Sequence, residues 1–400
     1  MALTPTEQIY LSAIQDRQSK LEAAVRFLVD QNTFTENRDG ISRLVSALEP
    51  DLEDLGFRCS ALIDGRRGPT LVARRLGDPD SHRLLLLGHL DTVHPPDGPF
   101  QQYQAIPGAD DRATGPGCAD MKGGVIVILE ALRALHLAGR LKGRHITLVL
   151  NSDEETGSVS SADLIRAEAM ESHLALCFEA GRPHPEGGST FVTERRGFGR
   201  MTLRARGRAA HAGVDPSAGA SAVLELAHKA IALSELTERF PGCSVTVGVL
   251  SGGTAANVVP EEAHLELDYR FGDQASKEHL EEEIFREAAR NVVKDQEGRP
   301  AVATTMHDQV GRPAMVRSEA MGRMAARIVA WGQDLGLILK EEARGGSSDA
   351  ALAADSGCPA VCGLGAVGGA FHTKDEWIVR TSLVERAQLA ALTIDRFFGL

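Results

Sequence analysis

The stretch Leu84-Leu85-Leu86-Leu87-Gly88-His89-Leu90-Asp91-Thr92-Val93 decides the fold. Four consecutive leucines leave no polar face. The run therefore predicts a strand buried on both sides, as in a parallel sheet covered by helices. Polar side chains follow the apolar run at once. His89 and Asp91 are two residues apart, so they share one face of the strand. In open α/β sheets, ligands bind outside the carboxyl ends of the strands, and His89 and Asp91 stand at such an end.

The same pattern recurs further along the chain. Apolar runs at 146–150 and 174–178 predict two more buried strands. The first leads into Asn151-Ser152-Asp153-Glu154-Glu155-Thr156-Gly157 and the second into Glu179-Ala180. Between them, 122–137 places Val125, Ile128, Leu129, Leu132 and Leu135 on one helix face, with Gly139 as a stop signal. This succession predicts an α/β fold with a central, mostly parallel sheet. Upstream, Ile9, Ile14, Leu21, Ala24, Phe27 and Leu28 recur near helical spacing and predict one amphipathic helix over 5–28.

The middle of the chain follows a different rule. Residues 200–206, 243–249 and 263–269 alternate apolar and polar, 217–236 and 274–293 read as helices, and 301–306 as a last strand. The order β-α-β-β-α-β with half-buried strands suggests a ferredoxin-like α+β domain carrying its helices on one face. The expectation is a catalytic domain made of 1–190 and 307–400, with a second domain inserted at 191–306.

Composition narrows the function. The chain has 400 residues, 43% of them hydrophobic and 24% charged, with a net charge of −12, which is ordinary for a globular protein. The acidic balance, without a basic patch, argues against a nucleic-acid partner. No apolar run reaches the roughly 18 residues of a spanning helix, so no membrane span is expected. The opening residues lack a basic-then-apolar signal peptide. The six cysteines are scattered, without a C-x-x-C pair, and read as reduced, buried thiols of a cytoplasmic protein.

Five side chains could form one metal site: His89, Asp120, Glu155, Glu179 and His372. Mixed nitrogen and oxygen donors suit zinc. Five donors exceed a closed tetrahedral site and suit two ions sharing a bridging carboxylate. Structural zinc sites are mostly thiolate, and no cysteine stands at a ligand position. Cobalt or manganese would suit the same donors. Asp91 could accept the free ring N–H of His89 and fix its tautomer. Glu154, beside Glu155, could take a proton from water and deliver it to a leaving nitrogen. Each motif alone is common by chance; their joint placement at strand ends carries the reading. The glycine-rich run GPGCADMKGG at 115–124 lacks both the Walker ending and the dinucleotide spacing, so it reads as a tight turn presenting Asp120.

In this order, these residues resemble the dizinc exopeptidase family of glutamate carboxypeptidase, acetylornithine deacetylase and succinyl-diaminopimelate desuccinylase, with bacterial glutamate carboxypeptidase the nearest branch. The likeness spans nearly the whole chain. It covers LLGHLDTV at 86–93, GPGCADMKGG at 115–124, NSDEETGS at 151–158, AHAG at 210–213, NVVP at 257–260, DYR at 268–270, GRPA at 311–314, GGSSDA at 345–350 and His372. The resemblance implies that Asp120 bridges two zinc ions, that His89 and Glu179 complete one site, and that Glu155 and His372 complete the other. It makes Glu154 the general base, with Asp91 orienting His89, and it implies a cis peptide after Asp120. Met121 departs from the family, which often has a second acid there. The inserted domain would act as lid and homodimer interface, and His211 would reach the partner's active site and stabilise the oxyanion. Asn257, Arg270, Arg312 and the turn with Gly346 and Ser347 would contact substrate. Arg270 could instead pair with an acid on its own polar strand face.

Glu179 rather than Asp goes, in that family, with carboxypeptidases and deacylases. The resemblance thus implies a hydrolase of a small-molecule amide or short peptide, releasing an amino acid with a free carboxylate. An N-acyl-amino-acid deacylase and a non-catalytic metal-binding homologue are the alternatives.

Overall fold

The computed structural model describes residues 2–109 and 111–400, with backbone only at 308 and 309. The chain forms two compact units. One runs to Glu194 and resumes as Arg317–Arg344 and Ser348–Leu400; the other is Arg195–Val316 with Gly345–Ser347.

The first unit is built on a six-stranded sheet. Its labelled strands are β1 (Arg58–Leu62), β2 (Thr70–Arg75), β3 (Arg83–His89), β4 (His145–Asn151) and β5 (Leu174–Cys177). The spatial order is β1-β2-β4-β3-β5, closed by the short strand Ala360–Val361. The β1–β2 and β2–β4 pairs are antiparallel, whereas β4, β3, β5 and Ala360–Val361 are mutually parallel. Leu84 to Leu87 are all buried. Successive residues point to opposite faces, so both faces of the sheet are covered. The register pairs His89 with Asn151 and Leu87 with Cys177. It therefore brings the polar segments after β3, β4 and β5 to one edge.

Helix α1 (Gly123–Leu137) is almost wholly buried and packs against β3 and the C-terminal helix Ser382–Phe397. Gly139 ends it in the left-handed conformation at φ +69. The single helix expected over 5–28 is two, Pro5–Gln15 and Gln18–Val29. The helix breaks at Asp16 and Arg17, yet the inward face keeps its seven-residue spacing across the break. Ile14, Leu21 and Leu28 turn inward, while Ile9 and Phe27 are 67% and 51% exposed.

The second unit holds β6 (Gly197–Arg206), β7 (Ser244–Gly252), β8 (Glu262–Phe271) and β9 (Ala303–Arg312), in the order β7-β8-β6-β9. All neighbouring pairs are antiparallel. Helices α2 (Ala222–Ser234) and α3 (Gln274–Ala289) supply Leu226, Leu233, Leu280 and Ile284 to a core with Met201, Leu203, Leu265 and Leu267. This is the ferredoxin-like arrangement with the order that the alternation predicts. Two details differ from expectation. The last strand, expected at 301–306, continues past a bulge to Arg312, so Arg312 belongs to this unit rather than to the chain after an insert. On β7, an irregularity between Val247 and Val249 shifts the register and leaves Val249 exposed. Among the described residues, no helix is long and apolar enough to cross a membrane.

Candidate metal centre

His89 closes β3, and its Nδ1 lies 3.0 Å from the Asp91 carbonyl and 3.4 Å from the Asp91 carboxylate. Either acceptor would fix the proton on Nδ1 and leave Nε2, which faces Asp120, free to bind a cation. The nearer acceptor is the main chain, because the Asp91 carboxylate has other partners. Its Oδ1 accepts the Glu154 N–H at 3.2 Å, and its Oδ2 accepts from the Glu155 N–H at 3.2 Å and the Thr35 hydroxyl at 2.8 Å. Asp91 thus holds the Glu154–Glu155 turn as well as flanking His89.

Asp120 stands between two imidazoles. Its Oδ1 is 3.2 Å from His89 Nε2 and its Oδ2 is 3.2 Å from His372 Nε2. His372 Nε2 is also 3.0 Å from Glu155 Oε2, and His89 Nε2 is 3.8 Å from Glu179 Oε1. Two donors about 2.1 Å from a tetrahedral ion lie roughly 3.4 Å apart. The observed separations match that spacing on both sides of Asp120. Mixed nitrogen and oxygen donors at this spacing fit a divalent-cation site. Among the described residues, His89, Glu154 and Glu179 form one group whose ligand atoms lie within 4.8 Å of each other, and His89, Asp120 and Glu155 form a second.

The turn that presents Asp120 is organised by a residue that sequence reasoning missed. Glu376 is buried; it accepts the N–H groups of Gly117, Ala119 and Asp120 at 3.0, 2.9 and 3.0 Å, and lies 3.2 Å from His94 Nε2. Gly117 sits at φ +70, where a Cβ would meet the Thr92 side chain at 2.5 Å. The Asp120–Met121 peptide is cis.

The electrostatics follow from crowding five titratable groups. Burial opposes charge on His89, but the Asp120 and Asp91 carboxylates outweigh it and raise the imidazole well above its usual range. Burial also opposes ionisation of Asp120, yet hydrogen bonds from His372 and His89 hold it well below the ordinary carboxylate range. Burial and the Asp120 charge push Glu155 up to about 8 and raise Glu179 as well. Hydrogen bonds to Asp120 and Glu155 lift His372 to about 11.

The remaining expected site residues lie in the second unit, in two separate places. His211 is exposed on a loop bridged to Val258, and the Ala212 N–H donates to the Asn257 carbonyl at 3.0 Å, so His211 and Asn257 are neighbours. Arg270 and Arg312 flank Phe198 on one rung at the far end of the sheet. Arg270 is bonded to Asp268 at 2.6 and 3.0 Å, the pairing its strand face allowed. Gly346 accepts from Arg195 Nη1 at 2.8 Å, and the buried Ser347 hydroxyl has no hydrogen-bond partner among the described residues.

A model of peptidase family M20/M25/M40 matches residues 85–396. Carboxypeptidase G2 of Pseudomonas sp. (strain RS-16) is 28% identical over 403 residues, covering 97% of this chain and 92% of that protein. A succinyl-diaminopimelate desuccinylase of Methylobacterium radiotolerans is 30% identical over 408 residues, covering 94% and 97%. Among solved structures, a tripeptidase from Staphylococcus aureus subsp. aureus Mu50 superposes with a TM-score of 0.76 at 22% identity, covering 96% of this chain and 99% of that one.

Proposed function

The chain is a member of peptidase family M20/M25/M40, and from that premise we propose that it is a dizinc hydrolase cleaving the amide between an acyl or peptidyl group and a C-terminal amino acid with a free carboxylate. The observation that carries this reading is Asp120, whose two oxygens each face a different imidazole at 3.2 Å. His89 and Glu179 would hold one ion with Asp120, and Glu155 and His372 the other; cobalt or manganese would fit the same donors. Such ions, when bound, supply Lewis-acid polarisation and acidify water. Glu154 takes the proton from the attacking water, and the water oxygen adds to the carbonyl carbon. As the C–N bond breaks, Glu154 delivers that proton to the leaving nitrogen.

The inserted unit would recognise substrate. His211 and Asn257 sit beyond one end of β6, and Arg270 and Arg312 flank Phe198 near the other. Phe198 and Arg206 alone are eight residues apart, roughly 27 Å along an extended strand. That separation supports a homodimer in which His211 of the partner subunit stabilises charge on the carbonyl oxygen. Arg270, Arg312, Gly346 and Ser347 would hold the free carboxylate, which an Arg fork matches in a bidentate way. All six cysteines are free thiols, which supports a reducing, cytoplasmic setting.

The test is amino acid release from a panel of N-acyl amino acids and dipeptides, with Glu154→Ala as the blank. Release of glutamate or aspartate from aromatic acyl donors supports the carboxypeptidase reading. The desuccinylase relative favours a second reading, an N-acyl-amino-acid deacylase, and release confined to small or succinyl donors would select it.

A further inference from the structure

The Glu154–Glu155 turn is held from two sides. Asp91 takes the N–H groups of Glu154 and Glu155. On the other side lies a second buried carboxylate, Asp349, from the GGSSDA segment. Its Oδ2 accepts from Asn151 Nδ2 at 2.7 Å and its Oδ1 from the Ser158 hydroxyl at 2.5 Å. Asn151, Ser158 and Asp349 are all buried. Asn151 is the rung partner of His89 and precedes the turn, and Ser158 follows it.

Ser158 has a second peculiarity. Its φ is +54, a left-handed conformation that a non-glycine residue adopts only when its surroundings hold it there. The Ser158 N–H also donates to the Asp153 carbonyl at 2.8 Å, closing the turn that contains Glu154 and Glu155. The same residue's hydroxyl is tied to the buried Asp349 carboxylate.

We propose that Asp349 is a positioning residue that sets the geometry of the Glu154–Glu155 turn by holding Ser158 in its left-handed conformation. This rests on the reading of Glu154 as general base. An asparagine at 349 keeps the shape, but its Nδ2 either opposes the donor Asn151 Nδ2 or turns the Ser158 hydroxyl from donor to acceptor, so the charged tether on Ser158 is lost. Glycine at 158 adopts φ above zero freely and needs no tether. The two substitutions therefore have opposite consequences for the turn.

The experiment combines two readouts on Asp349→Asn, Ser158→Ala and the double variant Asp349→Asn/Ser158→Gly. The first is amide hydrogen exchange of residues 154–158 in the metal-free protein. The second is kcat and KM of the zinc-loaded protein on N-benzoyl-glutamate or, if the panel selects another donor, on that donor. Asp349→Asn is expected to speed exchange about tenfold and lower kcat about 10- to 100-fold, the usual range for groups that orient ligands, with KM within about threefold. Ser158→Ala should act in the same direction, and it carries the test if Asp349→Asn does not fold. The double variant should regain most of the lost kcat and protection. Exchange and kcat within twofold of the parent in the single variants would overturn the proposal, as would a double variant no better than Asp349→Asn. An unsubstituted protein inactive on every donor would instead defeat the proposed function, while the exchange data would still decide the role of Asp349.

Discussion

At Asp120 and its neighbours, position in the fold and choice of side chain combine to collect charge. Replacing Glu154 by alanine removes the proposed proton carrier and leaves the five proposed ligands in place. It should lower kcat about 100- to 10,000-fold while two metal equivalents remain bound by elemental analysis; activity close to the parent would sink the assignment. Glu376→Gln exchanges one of the acceptor oxygens that hold Gly117, Ala119 and Asp120 for a donor, and should weaken metal affinity about 10- to 100-fold, read by competition with a chromogenic chelator. The raised Glu155 and His372 also give a pH signature. Both bind protons more tightly folded than unfolded, so folding stability due to them falls as pH rises, from about 4.5 to about 8 for Glu155 and from about 6.5 to about 11 for His372. His372 is half exposed, and solvent weakens its share. The metal-free protein should therefore show a falling Tm between roughly pH 5 and pH 9, and a cation that displaces those protons should flatten the slope. A metal-free Tm that rises over that interval would contradict this electrostatic reading. The five side chains proposed as ligands stood out in sequence because each follows an apolar run or a glycine-rich turn. Glu376 was not, because a carboxylate bonded to N–H groups 256 to 259 residues away leaves no spacing to read. Asp349 escaped for the same reason, its partners lying 191 and 198 residues upstream.

Elements meet at the centre through close backbone approach. A Cβ on Gly124, at the start of α1, would lie 2.0 Å from the Phe178 carbonyl oxygen, and one on Gly365 would lie 2.1 Å from the same atom. Both obstacles are backbone, so neither can step aside, and Phe178 immediately precedes Glu179. Gly124→Ala should destabilise the fold by about 1–3 kcal/mol through overpacking, visible as a lower denaturation midpoint, and should also weaken metal binding by displacing Glu179. A variant with parental stability would show that the helix can slide. Most elements of both units were legible from periodicity, since buried parallel strands and half-buried antiparallel ones leave different patterns. Three features were not. The pattern of 5–28 continues across Asp16 and Arg17 although the backbone breaks there. The outer part of β9 carries no apolar alternation in His307-Asp308-Gln309-Val310-Gly311-Arg312, so backbone pairing with β6 extends it beyond what side chains announce. The register shift at Gly248 is a backbone irregularity beyond which both Val249 and Leu250 are exposed.

For the whole molecule, the proposed homodimer makes a claim about the inserted unit. β7 is one of the two edge strands of its sheet, and α2 packs beside it. Along this margin Leu224, Ile231, Val249 and Leu250 are exposed, Ile231 to 62%. An open edge next to apolar side chains is a surface that pairs with another chain. Light scattering should give twice the mass of one chain, and Leu224→Glu with Ile231→Glu should halve it while far-ultraviolet circular dichroism stays unchanged. A parent protein that is monomeric at micromolar concentration would remove the role assigned to His211 of the partner subunit. The central claim, a metal-dependent hydrolysis of an N-acyl or peptidyl amide driven by Glu154, is tested most directly by amino acid release from the substrate panel, comparing the zinc-loaded protein with the zinc-loaded Glu154→Ala variant. The account predicts release of an amino acid bearing a free carboxylate by the parent and near-blank rates from the variant. Equal rates from both proteins, or no release from any donor with two zinc ions bound, would contradict it.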